Sequence, residues 1–374
     1  MPAVSSSSVP VEAIQVSTFT VPTDYPESDG TLKWDKTTLV LVEARGGGEQ
    51  GLGYTYADEA TAKLIHGTLA DLVKGKDAMS PPAAYSPPAA YMEMWRRVRN
   101  LGRPGICSMA ISAVDFALWD LKARLLNLPL VTLLGQVHAG APIYGSGGFT
   151  SYSDQQLTNQ LAGWVEQGIP QVKMKIGRDA ARDVERVRVA REAIGKTAKL
   201  YVDANGAYSR KQALHQAEIF AGFDVSWFEE PVSSDDLEGL RLVRDRAPVK
   251  MEVAAGEYGY DVFYFRRMLE AGAVDVLQAD ATRCGGVTGF MQVAALCESH
   301  NLPFSCHTAP ALHTQLACAV VPLRNIEYFH DHVRIEKMFF EGVPEPLKGE
   351  LHPDLSRAGF GLEVKRTELK KFAA

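Results

Sequence analysis

From Pro129 onward the chain repeats one unit eight times: a short apolar run ending in polar or ionisable residues, then an amphipathic stretch long enough for a helix. The runs end near Ser146, Lys175, Asn205, Glu230, Glu257, Asp280, His307 and Glu327. Strand followed by helix, repeated, is the signature of a parallel sheet with helices packed on it. Eight such units in under 200 residues fit a closed (β/α)8 barrel of the TIM type, in which catalytic groups sit at the C-terminal ends of the strands. A doubly wound open sheet is the alternative, but no G-x-G-x-x-G opens a helix here.

Before the barrel lies an α+β region. Thr37–Glu43 reads as a strand, Gly46–Gly48 as a turn and Gly51–Tyr56 as the returning strand of a hairpin. Residues 58–128 then show helical spacing, clearest at Ile111, Val114, Phe116, Leu118, Leu121 and Leu125. Ser80–Tyr91 contains the hexapeptide SPPAAY twice, and its proline density predicts a loop. Met1–Pro10 is Ser-rich and reads as a loose leader without the features of a secretory signal. The division expected is an α+β domain over 11–135, the barrel over 136–332, and a Gly- and Pro-rich tail over 333–374 that returns to the first domain.

Composition narrows the function. With 39 Lys plus Arg against 45 Asp plus Glu, the net charge is −6 and no basic stripe forms, so nucleic acid is not the expected partner. No stretch approaches the ~18 apolar residues of a membrane span. The five cysteines are odd in number and form no C-x-x-C pair, which suits reduced thiols in a cytoplasmic protein.

The strand ends carry the chemistry. Asp203, Glu229 and Glu257 are 26 and 28 residues apart, one βα unit each, so three successive strands can aim carboxylates at one spot. Three converging carboxylates need a cation, and all-oxygen ligation selects a hard divalent ion, Mg2+ first and Mn2+ second. The bland alternative is a solvated acidic rim. Lys173 and Lys175 share one face of a strand, where repulsion between the two ammonium groups and from a divalent ion beside them would ease the loss of a proton and make one of them a base. Asp280 and His307 lie 27 residues apart on adjacent strands, so the carboxylate can fix the imidazole tautomer and give a second acid/base group. The alternative for His307 is a satisfied core histidine. Glu327, as a protonated acid, could donate a hydrogen bond to a substrate carboxylate, and Ser146 and Asn205 are candidate substrate contacts.

Together these groups would bind a small carboxylate substrate and remove its α-proton. The motifs Lys173-Met174-Lys175, Val202-Asp203-Ala204-Asn205-Gly206, Phe228-Glu229-Glu230-Pro231, Ala255-Gly256-Glu257, Asp280 through Gly289 and His307-Thr308-Ala309-Pro310 resemble, in order, those of the enolase superfamily and its mandelate racemase subgroup. The likeness spans most of the chain. It implies Mg2+ ligands at Asp203, Glu229 and Glu257, with Glu230 as a competitor for the second position. It also implies a base at Lys175 assisted by Lys173, a His307–Asp280 dyad on the opposite face, and Glu327 against the substrate carboxylate; a Lys or His base beside Mg2+ is a pattern known for this superfamily. Muconate-lactonizing and dipeptide-epimerising relatives carry a lysine on the sixth strand, where this chain has Asp280. The resemblance further implies that the first domain caps the barrel, placing Tyr25, Lys33 and Trp34 of an early loop, Pro22–Trp34, and Tyr54 of Gly53–Tyr56, over the substrate. That segment is polar and suits hydroxyl groups, so a sugar-acid dehydratase giving a 2-keto-3-deoxy acid is expected, with a racemase, epimerase or cycloisomerase as the alternative and a non-catalytic binding barrel as a remote one. An even-numbered homo-oligomer, dimer to octamer, is also implied.

Overall fold

A computed structural model describes residues 8–79 and 87–373. The capping region begins with a three-stranded antiparallel sheet, β1 (Ala13–Ser28), β2 (Lys33–Gly46) and β3 (Glu49–Tyr56). The Gly47–Gly48 turn closes the expected β2–β3 hairpin. Pro22–Trp34, read as a loop, is instead the far end of the β1–β2 hairpin: pairing resumes at Glu27↔Trp34 and Ser28↔Lys33 beyond a register break after Pro22. Proline cannot donate to the ladder, which accounts for a break at Pro22.

The helix Ile106–Leu125 lies across β3 at close range. The approach requires glycine: a Cβ on Gly53 would sit 2.3 Å from the Ala113 carbonyl oxygen and 2.5 Å from the Phe116 Cβ. Helix backbone cannot yield as a flexible side chain can, so Gly53→Val is expected to destabilise the protein by about 1–3 kcal/mol or more. A thermal unfolding midpoint equal to wild type would show that the helix is not held at this distance. The second SPPAAY copy is not a loop. Pro87–Arg97 is helical, with Pro87 and Pro88 in the first turn, where a missing N–H costs nothing. The first copy, from Ser80, lies outside the described residues. Val9 and Pro10 are not loose either, since Val9 N–H donates to Asp77 Oδ1 at 3.0 Å and Pro10 bridges to Asp77.

Among the described residues, eight parallel strands close into a barrel: β4 (Ala141–Gly147), β5 (Gln171–Lys175), β6 (Lys199–Asp203), β7 (Val225–Glu229), β8 (Glu252–Ala255), β9 (Val276–Ala279), β10 (Phe304–Cys306) and β11 (Leu323–Phe329). Closure is through β11 and β4, with Glu327 opposite Tyr144. Strand alternation sorts each strand between an apolar outer face and an inner face. Tyr144, Tyr201, Trp227, Ala254 and Val276 fill the barrel interior, with the Tyr201 and Trp227 rings stacked at 5.1 Å. Two residues further along, the same inner faces carry Ser146, Asp203 and Glu229. The apolar plug is therefore the floor of a polar mouth.

Buried carboxylates join the two regions. Asp115 of the capping helix accepts from Thr288 N at 2.9 Å and Thr288 Oγ1 at 2.8 Å, and Asp120 accepts from Leu52 N and Phe360 N. After the helix His330–Phe339, the tail runs through β12 (Phe340–Glu341), β13 (Glu350–Leu351) and β14 (Glu363–Val364). β13 pairs with β4 of the barrel, whereas Phe360 packs on Phe116 and Ala373 bridges to Phe19. All five cysteines are buried and free. No described helix is long and apolar enough to cross a membrane.

Candidate active site

At the C-terminal ends of the strands, Asp203, Glu229 and Glu257 come together with one oxygen from each within 4.8 Å of the others, all three side chains buried. Parallel register sets this up, because Lys175, Asp203 and Glu229 are lateral neighbours on β5, β6 and β7. Glu230 is buried as well, but its backbone takes a left-handed φ of +38° and it does not share the cluster.

Two lysines rise between these carboxylates. Lys173 pairs with Glu229 and lies 2.8 Å from Glu327 Oε1 and 3.4 Å from Asp203 Oδ2; Lys175 pairs with Asp203. The charge on Lys175 depends on whether a cation compensates these carboxylates: the lowering by burial and by Lys173 is intrinsic to the strand, whereas the raising comes from groups that a divalent ion would neutralise. Burial and the neighbouring ammonium group pull Lys175 down, and with no cation on the cage the Asp203, Glu257 and Glu327 carboxylates outweigh them and raise it above its ordinary value. At Glu327, expected as a protonated acid against substrate, burial opposes ionisation while Lys173, His307 and Lys175 hold it below the usual carboxylate range, so its donor role requires those positive charges to be engaged elsewhere. It accepts from Ser146 Oγ at 2.5 Å, so Ser146 orients a carboxylate on the barrel wall.

On the far side of the mouth, His307 Nδ1 meets Asp280 Oδ2 at 2.8 Å. Its Nε2 lies 3.4 Å from Glu257 Oε2 and 3.6 Å from Glu327 Oε2. Asp280 also accepts from Thr282 N at 2.7 Å. Burial works against its ionisation, but His307 and Arg283 keep it below the carboxylate range.

The residues fit a divalent cation. Asp203, Glu229, Glu230, Glu257, Asp280 and Glu327 are six buried carboxylates facing Lys173, Lys175 and Arg283, an excess of three acidic groups. Burial pushes the Glu229 and Glu230 carboxyl groups well up, as expected where negative charge is under-compensated. Glu257 Oε2 is buried and accepts no hydrogen bond. An all-oxygen cage of this kind suits a hard ion.

A cavity of about 190 Å³ opens above the cage, and Lys175, Asn205, Glu257 and His307 all line it. The β1–β2 hairpin roofs it with Asp29, Leu32, Trp34 and Thr37. Its tip lies so close to the barrel that a Cβ on Gly30 would meet the Ala204 carbonyl oxygen at 2.5 Å. Thr150 fastens it, donating N–H to Ser28 O at 2.8 Å and Oγ1–H to Asp29 O at 2.9 Å.

Not every expected cap contact reaches this cavity. Trp34 lines it, with Nε1–H donating to Glu27 Oε2 at 2.8 Å. Lys33 is the next residue on the strand and points to solvent. Tyr25 is 55% exposed and packs edge-on against Tyr152. Tyr54 is fully buried away from the cavity and donates to Glu336 Oε1 at 2.6 Å. The sequence reading gave no role to Arg283, Tyr258, Thr308, Phe329 or His332, which line the cavity. Arg283 was findable, three residues past Asp280, and lies 3.4 Å from Asp280 Oδ2 and 3.7 Å from Glu257 Oε1.

Comparison with known proteins agrees with this geometry. Residues 13–135 match the mandelate racemase / muconate lactonizing enzyme N-terminal domain, and residues 156–368 match the enolase C-terminal domain-like family. The chain is 32% identical to a 3,6-anhydro-alpha-L-galactonate cycloisomerase of Streptomyces coelicolor over 86% of this chain and 88% of that protein. It is 29% identical to the L-talarate/galactarate dehydratase of Salmonella typhimurium over 83% and 79%. A crystal structure of that dehydratase with Mg and L-lyxarohydroxamate superposes with a TM-score of 0.88 at 25% identity, covering 100% of this chain and 95% of that one. A mandelate racemase/muconate lactonizing enzyme-like protein from Rubrobacter xylanophilus superposes with a TM-score of 0.94 at 55% identity, covering 98% and 100%.

Proposed function

The chain belongs to the mandelate racemase / muconate lactonizing enzyme family of the enolase superfamily, and from that premise we propose that it is a Mg2+-dependent dehydratase of sugar acids. The observation that carries the reading is one cavity bordered by the Lys175 ammonium group, the His307 imidazole and Glu257, a member of the Asp203–Glu229–Glu257 cluster.

Asp203, Glu229 and Glu257 would hold the ion, with Mn2+ as a substitute. When bound there, it supplies a Lewis acid for the substrate carboxylate as negative charge grows on its oxygens. Lys175 Nζ removes the α-proton from one face. Lys173, held by Glu229 and Glu327, keeps a second positive charge beside the deprotonated acid. His307 presents Nε2 from the other side, oriented through Nδ1 by Asp280. It protonates the β-hydroxyl, the C–O bond breaks, water leaves, and the resulting enol tautomerises to a 2-keto-3-deoxy acid.

A cycloisomerase reading shares both proton transfers. Where the leaving oxygen belongs to a ring, as in an anhydro sugar acid, it stays tethered and the product is an isomer. The polar lining of Asp29, Thr37, Asn205, Arg283 and Thr308 suits a polyhydroxy acid in either case. Incubating gluconate, galactarate, arabinonate and rhamnonate with the protein and Mg2+ in D2O separates the readings. A dehydratase yields a semicarbazide-reactive α-keto acid from an open-chain acid, a racemase returns deuterated substrate, and turnover of ring forms alone would replace the dehydratase by a cycloisomerase.

Exhaustive chelation is expected to abolish turnover and added Mg2+ to restore it. Glu257→Gln is expected to weaken Mg2+ binding by at least about tenfold, read by calorimetric titration, since one anionic ligand of the cage is lost. Unchanged affinity would take Glu257 out of the ligand set. A cytoplasmic, even-numbered homo-oligomer completes the proposal, and light scattering in solution tests the assembly.

A further inference from the structure

His332 lines the substrate cavity, yet neither proton-transfer step uses it. Its ring is held on three sides. Tyr56 stacks on it with centroids 3.4 Å apart and planes 12° from parallel, and Phe329 meets it edge-on at 5.1 Å. The third restraint is polar: the Ala309 backbone N–H donates to His332 Nδ1 at 3.2 Å.

That last contact fixes the tautomer. A backbone N–H can only donate, so Nδ1 must carry a lone pair and the proton of the neutral ring must sit on Nε2. Protonating Nδ1 to make imidazolium would set two N–H groups against each other. Burial acts in the same direction and holds the ring well below the usual histidine range. Nε2 has no hydrogen-bond partner among the described residues, and it is not an enclosed orphan atom, so it belongs to the face that borders the cavity.

The backbone that aims Ala309 is itself unusual. Thr308 and Ala309 both adopt left-handed conformations, φ +50° and +38°, which β-branched and alanine residues rarely take. The two consecutive turns direct Thr308 N–H to Glu327 Oε2 at 3.3 Å and Ala309 N–H to His332 Nδ1. The strained turn after β10 thus anchors Glu327 on β11 and His332 beyond it through its backbone N–H groups.

We propose that His332 is a specificity-determining residue: a neutral imidazole locked as the Nε2–H tautomer that donates one hydrogen bond to a hydroxyl oxygen of the substrate chain. A hydroxyl is the matching acceptor, because a carboxylate would favour imidazolium, and Nδ1 is already committed to Ala309. The inference rests on the sugar-acid reading given above and adds to it the group that reads a hydroxyl.

Two variants separate the ring's two roles. In His332→Asn the amide stands near Nδ1, so it can still accept from Ala309, but the donor toward the cavity is gone. In His332→Gln the amide reaches the Nε2 position and restores a donor. With whichever of gluconate, galactarate, arabinonate and rhamnonate the wild type turns over fastest, and with its single-carbon epimers, His332→Asn is expected to raise KM about tenfold for the preferred acid. It should leave kcat within a few-fold and flatten discrimination among the epimers, and His332→Gln should recover most of the loss. Independently of any substrate, 15N NMR of histidine-labelled protein, assigned by difference with His332→Asn, should show His332 neutral and protonated at Nε2 at pH 7. A ring protonated at Nδ1, a charged ring at pH 7, or full discrimination retained by His332→Asn would overturn the inference. If the wild type turns over none of these acids, in open-chain or in ring form, the sugar-acid reading falls and takes the hydroxyl assignment with it. A wrong tautomer in a chain that does turn them over sinks this inference alone.

Discussion

Lys175→Ala is expected to lower dehydration by about 10²- to 10⁴-fold, the range a positioned general base contributes. Exchange of the substrate α-proton with D2O on the face that Lys175 serves should fall equally. Mg2+ binding should survive, because the variant removes an ammonium group that pairs with Asp203 and competes for the same oxygen. This pattern separates a base from a structural residue: a protein that had lost its fold would lose the metal and the exchange together. Proton NMR of the α-position and calorimetry with Mg2+ read the two quantities in one preparation. Undiminished exchange would remove Lys175 from the mechanism and leave His307 as the α-proton base, with the faces of attack reversed.

How much of this site was legible in the sequence depended on whether a residue obeyed the period of the barrel. Asp203, Glu229, Glu257, Asp280 and His307 recur at one βα unit, and alternation alone puts Lys173 and Lys175 on one face, so their convergence follows from spacing. Protonation did not follow from spacing. The charges on Lys175 and Glu327 follow from the sum over the surrounding groups, a cation on the cage included, and spacing along the chain does not give that sum.

The cap was harder for the same reason. Trp34 faces the cavity and Lys33 faces solvent because they are consecutive on a strand, and the register that decides which one points inward is set by the break after Pro22. Tyr54 and Tyr56 lie two residues apart on one face of β3, so nothing local distinguishes the ring bonded to Glu336 from the ring stacked on His332. His332 lies past the eighth strand, outside the period, among histidines such as His330 and His300 that do nothing comparable. The left-handed pair Thr308–Ala309, the Tyr56 stack and the cavity lining single it out, and no residue-type preference advertises such a turn at a threonine.

His307→Asn is expected to separate the two halves of the reaction. The asparagine amide occupies the position of Nδ1 and keeps a donor for Asp280, so the carboxylate is not left unpaired, while the Nε2 atom that faces the leaving group disappears. Loss of water should then slow by about 10²- to 10⁴-fold. The α-proton should still exchange with D2O through Lys175, because that lysine pairs with Asp203 on the opposite wall and shares no contact with the imidazole. Asp280→Asn is the companion variant: it keeps the shape but allows the imidazole to turn its lone pair toward an amide donor, putting the proton on the wrong nitrogen. Its loss should fall on elimination as well, with a changed pH profile that His307→Asn cannot show. If exchange and elimination instead decline in parallel in His307→Asn, the two events are concerted or His307 removes the α-proton, and the division of labour drawn from the two walls of the cavity fails.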